Sequence, residues 1–152
     1  MLRTRLTEAL TAAMKAKQPR RVSTIRLILA AIKDRDIAAR GGGDSDGVSD
    51  DEILAILQKM VKQRAESIAH YQEGGRLELA EQEQEEIDVI TEFLPAQLGP
   101  EEMEAAVREL LVQMGATGIK DMGPAMAQLK ERFAGRMNFS EAAAVVKRLL
   151  VQ

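Results

Sequence analysis

Apolar residues return every three or four positions along almost the whole chain, the period of a helix with one buried face. Leu2, Leu6, Leu10, Ala13 and Met14 make the first stripe, and Gln18-Pro19 ends it because proline bars the residue before it from helical geometry. Val22, Ile25, Ile28, Leu29 and Ile32 make the second, followed by a glycine-rich loop at 41–47. The third helix has the clearest start: Ser49 with Glu52 is a capping box, and Val48 with Ile53 occupies the hydrophobic-staple positions. Its stripe is Ile53, Ile56, Leu57, Met60, Val61, Ile68 and Tyr71, closed by Gly74-Gly75. A fourth helix runs from about Arg76 through Ala80, Ile87 and Ile90 to Leu94.

Two prolines and a glycine within Leu94–Pro100 predict a domain boundary there. Beyond it, Pro100 suits a first helical turn, with Glu101 and Glu102 at its positive end. Met103, Val107, Leu110, Leu111 and Met114 form the fifth stripe, closed by Gly115. The sixth starts near Asp121 and buries Met122, Met126, Leu129 and Phe133. Asn138 with Glu141 caps the seventh, whose apolar face is Val145, Val146, Leu149 and Leu150. No useful run alternates with a strand's period of two. The pattern predicts an all-α protein: a four-helix domain at 1–94, a linker at 95–100 and a three-helix tail domain at 101–152.

Composition agrees. With 3 Phe, 1 Tyr and no Trp, aliphatic side chains must fill the core, and 152 residues suffice to bury one. The absence of cysteine removes disulfides, thiol nucleophiles and zinc–sulfur sites. No apolar run approaches the roughly 18 residues of a membrane span, and the basic start lacks the apolar segment of a secretion signal. These features predict a cytosolic protein that does not enter membranes.

Net charge is −3 overall but unevenly spread: residues 1–40 carry +7, residues 41–98 carry −10 and the remainder is balanced. A basic arm beside an acidic one either binds a polyanion or is neutralised by its neighbour, and both readings stay open. Arg26, Lys33 and Arg40 recur every seven residues, so on a helix they line up about 10.5 Å apart, a spacing able to follow phosphates.

Enzymatic centres find little support. His70 is the lone histidine, so no Ser-His or Cys-His relay can be assembled around a spare one. Glu66 and His70 lie four apart, which is a surface pair more readily than a metal site. Glu81 with Glu85, and Asp88 with Glu92, read as a solvated acidic face rather than acid–base pairs. The glycine loop lacks the Gly-Lys-Ser/Thr ending of a phosphate cradle. No catalytic residue, metal ligand set or cofactor is predicted.

Lys15-Ala16-Lys17, Arg26-Leu27, Ala31-Ile32-Lys33, Lys62-Gln63-Arg64, Gly74-Gly75-Arg76 and Phe93-Leu94-Pro95-Ala96-Gln97-Leu98 occur in an order that resembles the GatB/YqeY family. Lys120-Asp121-Met122-Gly123, Gly135-Arg136 and Val146-Lys147-Arg148-Leu149-Leu150 continue the resemblance to the end. The family usually follows Gly-Arg with Ala-Asp-Gly, where this chain has Met137-Asn138-Phe139.

GatB is the tRNA-contacting subunit of the amidotransferase that converts misacylated Glu-tRNA(Gln) or Asp-tRNA(Asn), and residues 101–152 are similar to its C-terminal tail. The resemblance implies an accessory protein that contacts tRNA, or a tRNA synthetase or amidotransferase. At family level it also implies carbon–nitrogen ligase activity with glutamine as amido-N-donor, though the amidase and phosphate-activating parts are absent from this sequence. A protein-interaction module without RNA contact is the alternative. Lys120, Arg136, Lys147 and Arg148 are the predicted phosphate contacts of the tail, with Arg26, Lys33 and Arg40 supporting them. The helix start near Asp121-Met122-Gly123, where free N–H groups gather, offers a further phosphate position.

Overall fold

Residues 1–41 and 47–151 are described by the computed structural model, apart from the side chains at 40 and 41. Among them lie seven α-helices and no strand, as the periodicity predicts: α1 (Leu2–Lys15), α2 (Pro19–Gly41), α3 (Asp50–Glu73), α4 (Leu77–Thr91), α5 (Pro100–Met114), α6 (Met122–Arg132) and α7 (Phe139–Leu150). A 3-10 turn, Ile119–Asp121, precedes α6. Most of the loop predicted at 41–47, residues 42–46, lies outside the described residues.

The backbone divides into two compact units, Met1–Pro95 and Ala96–Gln152. In the first, Leu6, Ile25, Ile28, Ile53, Leu57 and Ile90 are wholly buried, and Leu2, Ala13, Ile32, Val48, Met60 and Phe93 complete the core. Thr24 is buried among them, its hydroxyl donating to the Arg20 carbonyl at 2.8 Å, so no polar group is stranded. The staple and cap before α3 form as predicted: Val48 and Ile53 are buried, and Ser49 Oγ accepts from the Glu52 N–H at 3.3 Å.

Met14 departs from its predicted stripe and is 46% exposed. The buried line of α1 runs through Leu2, Leu6 and Ala13, with Ala9 packed against it. Met14 follows Ala13 by one residue, which turns it about 100° around the helix and off the buried face.

The helix ends differ in a telling way. After α3, Gly75 takes the left-handed conformation (φ +72°), and after α5, Gly115 does so (φ +65°). After α1 that position belongs to Lys17 (φ +57°), with Lys17 N–H bonded to the Met14 carbonyl and Gln18 N–H to the Ala13 carbonyl. A lysine there carries a steric cost of order 1–2 kcal/mol that glycine avoids.

In the second unit, Val107, Leu110, Ala125, Leu129, Met137, Ala142 and Val146 form the buried centre with Met103 and Leu111. Met122, Met126 and Phe133, predicted as buried, are only partly so; Ala125 takes the central place on α6 beside Leu129. Asn138 Oδ1 accepts from the Ser140 and Glu141 N–H groups at 3.0 and 3.2 Å. The departure at 137–139 therefore keeps the helix cap, with an amide oxygen doing what a carboxylate would, and adds Met137 to the core.

Candidate functional site

The residues nominated as phosphate contacts divide into two groups. Lys120 is exposed on the 3-10 turn, Lys147 is exposed near the C-terminal end of α7, and Arg26 and Lys33 are exposed on α2. None of these four makes an ion pair among the described residues. The Arg40 side chain lies outside them.

Arg136 and Arg148 are engaged by their own unit. The Arg136 Nε donates to the Ala96 carbonyl at 3.2 Å, and its guanidinium lies 5.9 Å from the centroid of the Phe133 ring. Leu98 N–H returns a bond to the Arg136 carbonyl at 2.8 Å, and the Gln97 side chain donates to the Gly135 carbonyl. Arg136 thus pins the segment 96–98 to the turn after α6. Arg148 reaches Glu104 on α5 at 3.2 Å, where Arg108 already binds at 2.8 Å. The hydrogen bond from Arg108, reinforced by Arg148, holds the Glu104 carboxyl below its ordinary range.

The start of α6 is not an open anion site. The Asp121 carboxylate turns back to accept from the Thr117 N–H at 2.8 Å and the Gly118 N–H at 3.2 Å. Those bonds hold it below its ordinary pKa, with Lys120 adding a smaller pull. A fixed negative charge beside the free amides of α6 opposes a phosphate there.

In the first unit, part of the basic arm meets the acidic one. Arg20 pairs with Glu85 at 2.8 Å and Arg21 with Glu92, so part of the basic arm is neutralised by α4. Arg64 on α3 binds Glu86 at 2.8 Å and lies 3.9 Å from Glu83. Burial, with Glu86 adding to it, raises the Glu83 carboxyl above its ordinary value despite Arg64. The acidic face of α4 is therefore partly an interhelical seam rather than wholly solvated. Asp36 is engaged within its own unit. It accepts from both Arg3 guanidinium nitrogens at 2.9 and 2.6 Å and from the Val48 N–H at 2.9 Å. Arg3 also donates to the Val48 carbonyl at 3.1 Å, closing a network that ties α1, the end of α2 and the approach to α3 together.

Sequence reasoning missed one concave feature. A cleft of about 810 Å³ opens where α1 turns into α2, lined by Met14, Pro19, Val22 and Leu27 with Lys17 and Arg26 among them. Among the described residues, no three His, Asp or Glu side chains gather as a metal site, and no helix is long and apolar enough to cross a membrane.

Residues 3–150 match the family described as Yqey-like protein. The chain is also similar to proteins named altered inheritance of mitochondria protein 41, mitochondrial. That of Lachancea thermotolerans is 34% identical over 131 residues, covering 84% of this chain and 64% of the relative. That of Kluyveromyces lactis is 32% identical, covering 84% and 65%, and that of Vanderwaltozyma polyspora is 30% identical, covering 77% and 64%. The chain thus spans a little under two thirds of each of these relatives. Their names overturn the cytosolic location predicted from composition. A cysteine-free sequence without an apolar span suits more than one compartment, so those features never discriminated among them.

Proposed function

The chain belongs to the YqeY-like family, and from that premise we propose that it is an accessory protein of tRNA handling, acting by binding rather than by catalysis. In this reading residues 1–94 are a four-helix domain, 95–100 a linker and 101–152 a tail domain like that of the amidotransferase B subunit. The observation that carries it is that four of the cations nominated from the sequence are exposed and without carboxylate partners among the described residues: Lys120 and Lys147 in the second unit, Arg26 and Lys33 on α2. Lysines held this way contribute a salt-dependent, sequence-independent attraction to a phosphate backbone. Arg136 and Arg148 shape the surface from within and are secondary contacts.

Retention of mixed tRNA on a filter should fall steeply between about 50 and 200 mM salt, and charge reversal at Lys120 and Lys147 together should reduce it further. Binding that ignores salt, or none at low ionic strength, rejects the reading. The purified chain should show neither glutaminase nor transamidation turnover. The protein-interaction alternative draws on a separate observation, the cleft between α1 and α2.

A further inference from the structure

We propose that this cleft is a docking groove for an acidic amphipathic helix of a partner protein. Its floor is aliphatic: Met14, Pro19, Val22 and Leu27, with Met14 and Leu27 each 46% exposed. Methionine adapts to incoming surfaces through its unbranched, polarizable side chain. Pro19 to Leu27 covers about 12 Å of helix axis, which matches the roughly 10.5 Å between anchors at i and i+7 of a docked helix.

The charge of the lining selects the occupant. Lys17 and Arg26 are its charged members, and no carboxylate lines it. Arg26 rests its guanidinium 3.6 Å from the Met14 sulfur, holding a cation directly beside the apolar floor. Arg20 and Arg21, the neighbouring cations at the start of α2, are already occupied by Glu85 and Glu92, whereas Lys17 and Arg26 make no ion pair among the described residues. Lys17 sits there in a left-handed conformation that glycine fills at the ends of α3 and α5. Backbone strain kept at a residue lining a cleft is a feature that recognition sites share. Nucleic acid fits less well, because the groove offers no aromatic face on which a base can stack.

A displayed library of random peptides about 16 residues long, selected on the full chain, tests the assignment. Enriched sequences should be net negative with apolar residues spaced i, i+4 and i+7. A synthesised winner should lose about tenfold or more in affinity on Leu27→Glu or Met14→Glu, and about threefold on Lys17→Gly at low salt. Both apolar positions are exposed, and Lys17→Gly relieves the backbone, so its loss of binding cannot be a loss of folding. Charge reversal at Lys120 and Lys147 should leave peptide binding unchanged, separating this groove from the tRNA reading. Absence of enrichment, basic or neutral winners, or winners indifferent to Leu27→Glu would each overturn the proposal. So would retention of a single-stranded RNA pool by the native chain that Leu27→Glu abolishes, which would make the groove a nucleic-acid site.

Discussion

The two units differ in how far ion pairs join their helices. In the first, arginines cross between helices to carboxylates: Arg3 to Asp36, Arg20 to Glu85, Arg21 to Glu92 and Arg64 to Glu86. In the second, Arg148 to Glu104 is the ion pair that joins two helices among the described residues, and Lys120, Lys130 and Lys147 make no ion pair among them. Ion pairs between helices are thus more numerous in the first unit, while both units keep exposed cations without a carboxylate partner among the described residues, Arg26 and Lys33 in one and those lysines in the other. A guanidinium makes several directed bonds at once, whereas an ammonium is a strongly hydrated point charge that gains little from one surface carboxylate.

The sharpest way to probe that contrast is through the cores on which both arrangements rest. Leu129→Ala, at a wholly buried position on α6, should cost about 2–5 kcal/mol. Amide exchange should report the loss first in α5, α6 and α7. Equal loss of protection throughout α1–α4 would show that the two units do not respond separately.

Next comes the network at Asp36. Asp36→Ala leaves the Val48 N–H without its acceptor and the Arg3 guanidinium with the Val48 carbonyl but no carboxylate, and should cost about 1–2 kcal/mol, the low end reflecting partial exposure of Arg3. Chemical denaturation measures it. Arg148→Ala should lower stability less, and a larger loss there than at Asp36 would reverse the comparison.

The smallest effect is on pH dependence. Glu104 and Asp121 are held below their ordinary values of 4.5 and 3.8, so their contribution is complete above those values and is lost as pH falls through the lowered ones. Glu83 is held above 4.5, so its ionised form opposes folding at neutral pH and that opposition is relieved as pH falls through the raised value toward 4.5. Acid should therefore loosen α5–α7 before α3 and α4. Amide exchange followed from about pH 5 to about pH 3 reads the order.

Much of this was legible in one dimension. The seven helices, the Ser49 and Asn138 caps, the Gly75 and Gly115 stops and most core positions follow from local rules: a period of 3.6, side chains that satisfy free N–H groups and glycine where φ is positive. Such signals depend on residues three or four apart, so neighbours along the chain suffice to express them. Even the replacement of the family's usual Asp by Asn138 leaves that cap readable.

What the sequence determined by itself was helix placement, the absence of a thiol or histidine relay and the unequal distribution of charge. Tertiary structure alone decided which charges remain available. Arg136 and Lys120 look equivalent as letters, yet one holds the 96–98 segment and the other stands in solvent. Asp36 and Asp34 are two residues apart on one helix, but only Asp36 meets Arg3, which is 33 positions away. The cleft likewise exists because Met14 turns off its own stripe at the point where α2 begins. Periodicity records which face of a helix is apolar; whether a charge is consumed or a hollow left open depends on what a distant segment brings against it.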